Sequence, residues 1–439
     1  MNRVVEEVSA AYLVETVEGD VPAGYKKTEV GVIPEDWSFG ALGQIGKFKN
    51  GINKSADDFG FGFPFVNLMD VFRRPTIDGT TSLDLINSTD LDRTEYSLFK
   101  GDVLFIRSSV KPSGVGLTTV IQDDLKNTVF SGFLIRFRCG GALIADFMRH
   151  CFAESSFRQR VIAGSTVSAN TNINQDNLKR IALAWPSTIE EQIVISTALS
   201  NVDMLIFELE KLIAKKQAIK AATMQQLLTG RTRLPQFALR EDGSPKGFKN
   251  SELGDIPQDW EVKPLSEVCS LKSGQSITAD SISDEGGYPC YGGNGLRGFA
   301  DNPTHSGRYV LVGRQGALCG NVNYIEGDFF ASEHALVATG KNSVDMKWLA
   351  LVLERMNLNQ YSESSAQPGL SAIKLKVLPV LVPPLGEQQA IALLIRKLVF
   401  ELSSLSNRLA KTRQLKQGMM QQLLTGKIRL VKPSTVSAS

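Results

Sequence analysis

Three short stretches of this chain gather cationic, amide and hydroxyl side chains at close spacing. Arg107-Ser108-Ser109-Val-Lys111-Pro-Ser-Gly follows the apolar run Val103–Ile106, and Arg314-Gln315-Gly follows the apolar run 309–312. The third, Tyr291-Gly-Gly-Asn294-Gly-Leu-Arg297-Gly, sets an amide and a guanidinium among glycines. Arginine and lysine can bond guanine or phosphate, glutamine and asparagine pair with adenine, and serine serves either partner. Glycine lets a backbone approach a ligand closely. The same residues also compose ordinary solvated loops, so residue type alone leaves both readings open. A fourth polar loop, Ser165-Thr-Val-Ser-Ala-Asn-Thr-Asn172, has the same two readings.

Other chemistry finds little purchase. A methyltransferase acting on adenine would show a glycine-rich cofactor loop and an Asn/Asp-Pro-Pro-aromatic motif, whereas the nearest string is the turn Asn302-Pro-Thr-His305. No Gly-x-x-x-x-Gly-Lys-Ser/Thr phosphate loop occurs, so ATP-driven work is not expected of this chain. His150, His305 and His334 lie far apart and form no ligand pair with cysteine, and His150 reads as structural. The five cysteines, Cys139, Cys151, Cys269, Cys290 and Cys319, are odd in number and contain no Cys-x-x-Cys, against a disulfide framework or zinc site. No metal and no catalytic residue is assigned.

At 439 residues with 42% hydrophobic composition the chain can build several cores, and a net charge of +2 excludes a polybasic coat. Basic residues do gather locally, at Arg396, Lys397, Arg408, Lys411, Arg413, Lys416, Lys427 and Arg429, with Glu401 among them. Such a face suits either a phosphate backbone or a solvated helix flank. The acidic start Met1-Asn-Arg-Val-Val-Glu-Glu lacks the pattern of a signal peptide, and no run of about 18 apolar residues occurs; a soluble, cytoplasmic protein is expected.

The elements that must position the polar loops are written twice. Glu29-Val-Gly-Val-Ile-Pro-Glu-Asp-Trp37 returns as Glu252-Leu-Gly-Asp-Ile-Pro-Gln-Asp-Trp260, and Met224-Gln-Gln-Leu-Leu-Thr-Gly230 returns unchanged as Met420-Gln-Gln-Leu-Leu-Thr-Gly426. Repeats of this kind mark a scaffold used twice. From Ile189 to Leu228 the sequence has no proline or glycine, and a helix of that length would reach roughly 60 Å. Leu199, Val202, Ile206, Leu209 and Ile213 alternate at spacings of three and four, the seam of a coiled coil; Ile395, Leu398, Leu402, Leu405 and Leu409 repeat it in phase. Both helices follow proline, carry Glu191-Gln192 or Glu387-Gln388 in the first turn where acid suits the helix dipole, and stop at Thr-Gly. The remaining blocks mix short β-rich runs with a candidate helix late in each, at 142–151 and 346–355, and read as compact α+β domains in which Trp37 and Trp260 are core anchors.

This order of phrases resembles the specificity subunit of Type I restriction–modification enzymes, on Gly31-Val-Ile-Pro-Glu-Asp-Trp37, Gly254-Asp-Ile-Pro-Gln-Asp-Trp260, the Pro-to-Gln helix starts and both Gln-Gln-Leu-Leu-Thr-Gly endings. The resemblance covers nearly the whole chain. It implies an α+β fold with a pseudo-twofold internal repeat: an N-terminal segment (1–24), a first target-recognition domain (25–188), a central spacer helix (189–230), a linker (231–247), a second recognition domain (248–386), a C-terminal spacer helix (387–426) and a tail (427–439). It implies that the two helices pack antiparallel and that each recognition domain reads half of a split duplex DNA target. Under it Arg107, Ser108, Ser109, Lys111, Asn294, Arg297, Arg314 and Gln315 are the candidate DNA contacts. Partners implied are two modification (methyltransferase) subunits and restriction/translocase subunits, which would carry S-adenosylmethionine, ATP and Mg; no cofactor is expected in this chain. A self-contained restriction or modification enzyme, or a coiled-coil structural adaptor, are the competing readings.

Overall fold

The computed structural model describes residues 21–167, 169–316, 318–341, 344–362 and 369–431. Most of the expected N-terminal segment (1–20), the end of the tail (432–439) and Ser168 of the fourth polar loop lie outside the described residues. Helices and strands are mixed throughout, and the chain divides into two compact units, Met1–Leu209 with Arg408–Ser439, and Glu210–Asn407.

Two long helices, α1 (Ile189–Leu228) and α2 (Leu385–Leu423), each contribute one end to each unit. α1 has the bounds its uninterrupted composition predicts. α2 starts two residues before the expected 387, because the Pro384 carbonyl already accepts from the amides of Glu387 (2.9 Å) and Gln388 (3.1 Å). Both helices close on a left-handed glycine, with φ of +69° at Gly230 and +70° at Gly426.

In the first unit a five-stranded sheet runs in the order Gly46–Asn50, Leu134–Cys139, Val103–Ile106, Thr118–Ile121, Thr76–Ile77. Val103–Ile106 is buried on every residue, as an apolar run at the centre of a sheet must be. A two-stranded ribbon pairs Trp37–Ala41 with Ala182–Pro186. The main core joins this ribbon to both long helices, through Trp37, Trp185, Ile195, Leu199, Leu423 and Leu424.

The second unit repeats the frame around a different sheet, of six strands: Cys269–Ser273, Ala335–Gly340, His305–Gly313, Val322–Ala331, Tyr288–Gly292, Gly295–Ala300. Here Glu261–Pro264 pairs with Pro379–Val382, the strand that leads into α2, as Ala182–Pro186 leads into α1. The core again takes in both long helices, through Met224, Leu227, Leu228, Ile391 and Ile395 with Trp260 and Trp348. The two late helices are Ala145–Cys151, three residues shorter at its start than expected, and Met346–Arg355. The shortening follows from Ile144, whose extended backbone (ψ 152°) places it before the first helical residue.

Along the helices every expected seam position is buried or half-buried. In the first unit Leu199 and Leu209 are buried and Val202, Ile206 and Leu409 half-buried; in the second Ile395 is buried and Ile213, Leu398, Leu402 and Leu405 half-buried. Beyond Ile213 the stripe turns polar at Lys216 and Lys220, and beyond Leu409 at Thr412 and Lys416. Two of those lysines find acids on the opposite helix in reversed chain order: Lys416 meets Asp203 at 2.6 Å within the first unit, and Lys216 meets Glu401 at 2.7 Å within the second, while Lys220 faces Glu354 of the late helix at 3.9 Å. By length and composition alone α1 could cross a membrane, with mean hydropathy 1.3 over its most apolar window. Only 28% of that window is buried, which leaves Met204 (64% exposed) and Phe207 (60% exposed) on its open face.

Candidate nucleic-acid interface

The repeated phrases build a clasp that fixes each sheet to the helices. Trp37 is fully buried and its indole Nε1 donates to Glu191 Oε2 (3.3 Å), while the Arg429 guanidinium grips both Glu191 oxygens (2.9 and 2.7 Å) and Asp36 (2.8 Å). The second unit repeats every atom type. Trp260 donates to Glu387 Oε2 (2.9 Å), and Arg233 reaches Glu387 Oε1 (3.0 Å) and Asp259 (2.8 Å). Burial acts to lower the pKa of both arginines, but the hydrogen bonds and charges of their carboxylates outweigh it and raise them. The neighbouring glutamines finish the joint. Gln192 accepts from the Ile144 amide (3.0 Å) and donates to the Pro186 carbonyl (3.0 Å); Gln388 accepts from the Asp345 amide (3.0 Å) and donates to the Pro383 carbonyl (2.9 Å). The turn after each helix is tight: a Cβ on Gly230 would stand 2.5 Å from Pro257 Cδ, and Gly426 abuts Pro34 likewise.

Glu191 and Glu387 stand in the first turns of α1 and α2, as expected, and at 2% and 1% exposed they are also the buried centres of charge networks. Arg429 is committed to such a network, and Lys416 to Asp203, so neither is a free cation for phosphate. The signal was present in the sequence, since Arg233 and Arg429 stand at the same repeat offset as the Thr-Gly stops.

On the frame of the first unit, the strand Val103–Ile106 ends at Arg107, which is exposed. Its amide donates to the Phe133 carbonyl (2.8 Å) and its carbonyl accepts from Ile173 (2.9 Å). Ser108 and Ser109 then pair with Asn172 and Thr171, which brings two of the polar loops into one small sheet. Lys111, exposed, leads into the tight turn Pro112–Gly114. That turn is held from beneath by Arg158, whose Nη2 donates to the carbonyls of Ser113 (3.0 Å) and Val115 (2.6 Å), and whose pKa burial lowers to about 10.

In the second unit Arg314 extends from the strand His305–Gly313 and its Nη1 donates to Ser273 Oγ (2.9 Å). Its amide donates to the His334 carbonyl (2.9 Å), and the His334 ring Nδ1 lies 2.9 Å from Gln315 Oε1. Gly293 closes against the same backbone: a Cβ there would stand 3.0 Å from the Gln315 carbonyl and 3.1 Å from that of His334. The hairpin tip bearing Asn294, exposed, therefore adjoins Arg314 and Gln315. Arg297 is exposed on the outgoing strand Gly295–Ala300, and its stem crosses Gly292, where a Cβ would meet Cδ at 2.5 Å. His334 and Ser273 were missed by sequence reasoning, since each reaches the site only through strand pairing across the sheet.

Elsewhere the titratable groups are structural in character. His150 is buried against Ser200 (3.2 Å), and burial, with Arg149 beside it, lowers its pKa to about 4. Burial raises the thiols of Cys151, Cys269, Cys290 and Cys319, that of Cys269 to about 12. Among the described residues no cluster of histidine, cysteine and acid could hold a metal ion.

Fold and surface thus define an internally duplicated protein of mixed helices and strands that presents two unlike polar platforms on one repeated frame. Residues 34–221 and 257–412 match the family model described as the Type I restriction modification DNA specificity domain, and the chain belongs to that family. It is 41% identical over 154 residues to the EcoprrI specificity subunit of Escherichia coli, a match covering 34% of this chain and 37% of that one. Against the MjaX specificity subunit of Methanocaldococcus jannaschii it is 26% identical over 432 residues, 92% of this chain and 97% of the other. The solved S subunit of a Type I restriction–modification system from M. genitalium superposes with a TM-score of 0.56 at 15% identity, covering 90% of this chain and 96% of that one.

Proposed function

We propose that this chain is the specificity subunit of a Type I restriction–modification enzyme that reads a bipartite duplex DNA target, one half-site per recognition domain (25–188 and 248–386). The observation that carries the reading is the duplicated clasp: identical Trp-Glu-Arg joints carry a five-stranded sheet in one unit and a six-stranded sheet in the other. A frame held constant under two divergent surfaces suits two readers with different targets. Arg107, Ser108, Ser109 and Lys111 contact one half-site, and Asn294, Arg297, Arg314 and Gln315 the other. α1 and α2 act as an antiparallel coiled-coil spacer, supported by the covered seam and the reversed order of the Lys416–Asp203 and Lys216–Glu401 pairs. The separation of successive major-groove faces is about 34 Å, well within the reach of such helices. Apolar side chains left open on them, Met204 in one unit and Phe400 (76% exposed) at the equivalent position of the other, offer matched docking points for two modification subunits, to which restriction subunits add. Methyl transfer and ATP-driven work, with S-adenosylmethionine, ATP and Mg, belong to those cytoplasmic partners, and this chain supplies no catalytic residue.

The test is to map methylated motifs in a host genome with and without this gene. A split motif that disappears with the gene supports the reading. An unchanged set of motifs, with the modification subunits present, contradicts it.

A further inference from the structure

We propose that Val110 and Phe133 are specificity-determining residues that read the 5-methyl group of thymine in the half-site of the first unit. The inference rests on the DNA-reading role above and deepens it.

Val110 is 80% exposed and Phe133 58% exposed, both within the polar platform. Single apolar residues at a surface need no explanation, but these two line one basin of about 450 Å³ together with Phe72, Leu117, Ser109 and Lys111. The basin is built rather than incidental. Phe133 is tied to the reading strand by its carbonyl, which accepts from Arg107 (2.8 Å), and Arg158 pins the turn beyond Val110. Gly114 floors it, since a Cβ there would press on Phe72 at 3.1 Å.

Charge selects the occupant. Among the described residues no acid lines the basin, while Lys111 is in its wall and Arg107 and Arg73 are exposed on the adjoining elements. A cationic rim around an apolar floor suits a polyanion that carries apolar groups on its exposed edge. Duplex DNA does so at thymine, whose methyl group projects into the major groove beside hydrogen-bonding atoms. Arginine and serine can read those atoms but not the methyl; Val110 and Phe133 can. The second unit shows the same juxtaposition within itself, with Leu318 (51% exposed) four residues after Arg314 and Leu296 (56% exposed) next to Arg297.

Deoxyuridine in place of thymine removes the methyl and keeps every hydrogen bond, so it isolates the contact. The experiment uses the full chain assembled with its modification subunits and a duplex carrying the mapped motif, with each thymine replaced in turn and affinity measured by competition. At one or more positions in the first unit's half-site, replacement should weaken binding about fourfold, the equivalent of the roughly 0.8 kcal/mol of one buried methyl. Val110→Ser with Phe133→Ser should abolish that difference while the other half-site is read as before. A half-site without thymine, uracil tolerated at every position, or a preference that survives in the double variant overturns the inference while leaving sequence-specific binding intact. Absence of any sequence-specific binding by the parent complex would instead overturn the DNA-reading role, and this inference with it. If the double variant loses a subunit from the complex and the parent ignores uracil, the basin serves a protein and the inference fails.

Discussion

Replacing Arg429 by Met should damage the first unit far more than an exposed charge would. Its side chain is 10% exposed, and the guanidinium makes two bonds to a carboxylate, Glu191, whose side chain is 2% exposed. Removing it leaves that carboxylate buried with, among the described residues, the Trp37 indole as its one side-chain donor, and an uncompensated buried charge costs about 3–5 kcal/mol. Against a total stability of about 5–15 kcal/mol for a domain, that is a large fraction. A solvent-exposed pair would cost about 1 kcal/mol or less. The assay is amide hydrogen exchange on peptides covering the Trp37 and Glu191 strands and helix start, with the corresponding Trp260 and Glu387 peptides as internal control. Arg429→Met should raise exchange in the first set, and adding Glu191→Gln should recover part of the loss, because glutamine still accepts the indole proton without a charge. Arg233→Met should invert the pattern. A loss below about 1 kcal/mol, or a double variant as unstable as the single, would refute the argument that the clasp is a buried, mutually compensated network.

Other outcomes follow from the same geometry. The folded pKa of His150, about 4, lies below its ordinary 6.5, so the unfolded chain binds the extra proton between those values; stability is complete above about pH 6.5 and falls by up to ~3 kcal/mol as pH drops through 4, and His150→Gln should flatten that slope in denaturant titrations. Arg107→Ala and Arg314→Ala should each cost about 1–3 kcal/mol in binding and relax a different half-site if they grip a base, whereas a phosphate contact would weaken all sequences alike and lower the salt slope by about one, as affinities at several salt concentrations will distinguish. Four residues added to α1 after Ala214 alone would put Lys216 out of register with Glu401, but matched insertions there and after Ser404 should lengthen the unread gap by about 6 Å with both half-sites unchanged. Methylation of a library of gap lengths reads this directly, and an unchanged preferred gap would show that the helices do not set the spacing.

Much of the frame was legible because it rests on local and periodic signals. The proline-free run 189–228, the three-four seam and the Thr-Gly stops are each decided by neighbours within a turn or two of helix, and α1 has the bounds they predict. The clasp was not, although its residues were all visible. Glu191 is in the first turn, as its local sequence predicts, but it is also bonded by Arg429, 238 positions away, which no local signal encodes. The platforms were legible only as separate loops, for the same reason in another form. Ser108 and Ser109 meet Thr171 and Asn172 through strand register, and His334 reaches Gln315 across a sheet, neither of which composition or spacing encodes. Val110 went unremarked because an apolar residue in a polar loop signals nothing until its exposure is known.

The claim that each unit reads one half of a split target is tested most directly by exchanging residues 25–188 for the equivalent block of another family member and mapping the methylated motif of the hybrid. One half-site should change to the donor's and the other stay as in the parent. A hybrid that assembles and methylates, yet changes both half-sites together or neither, would contradict it.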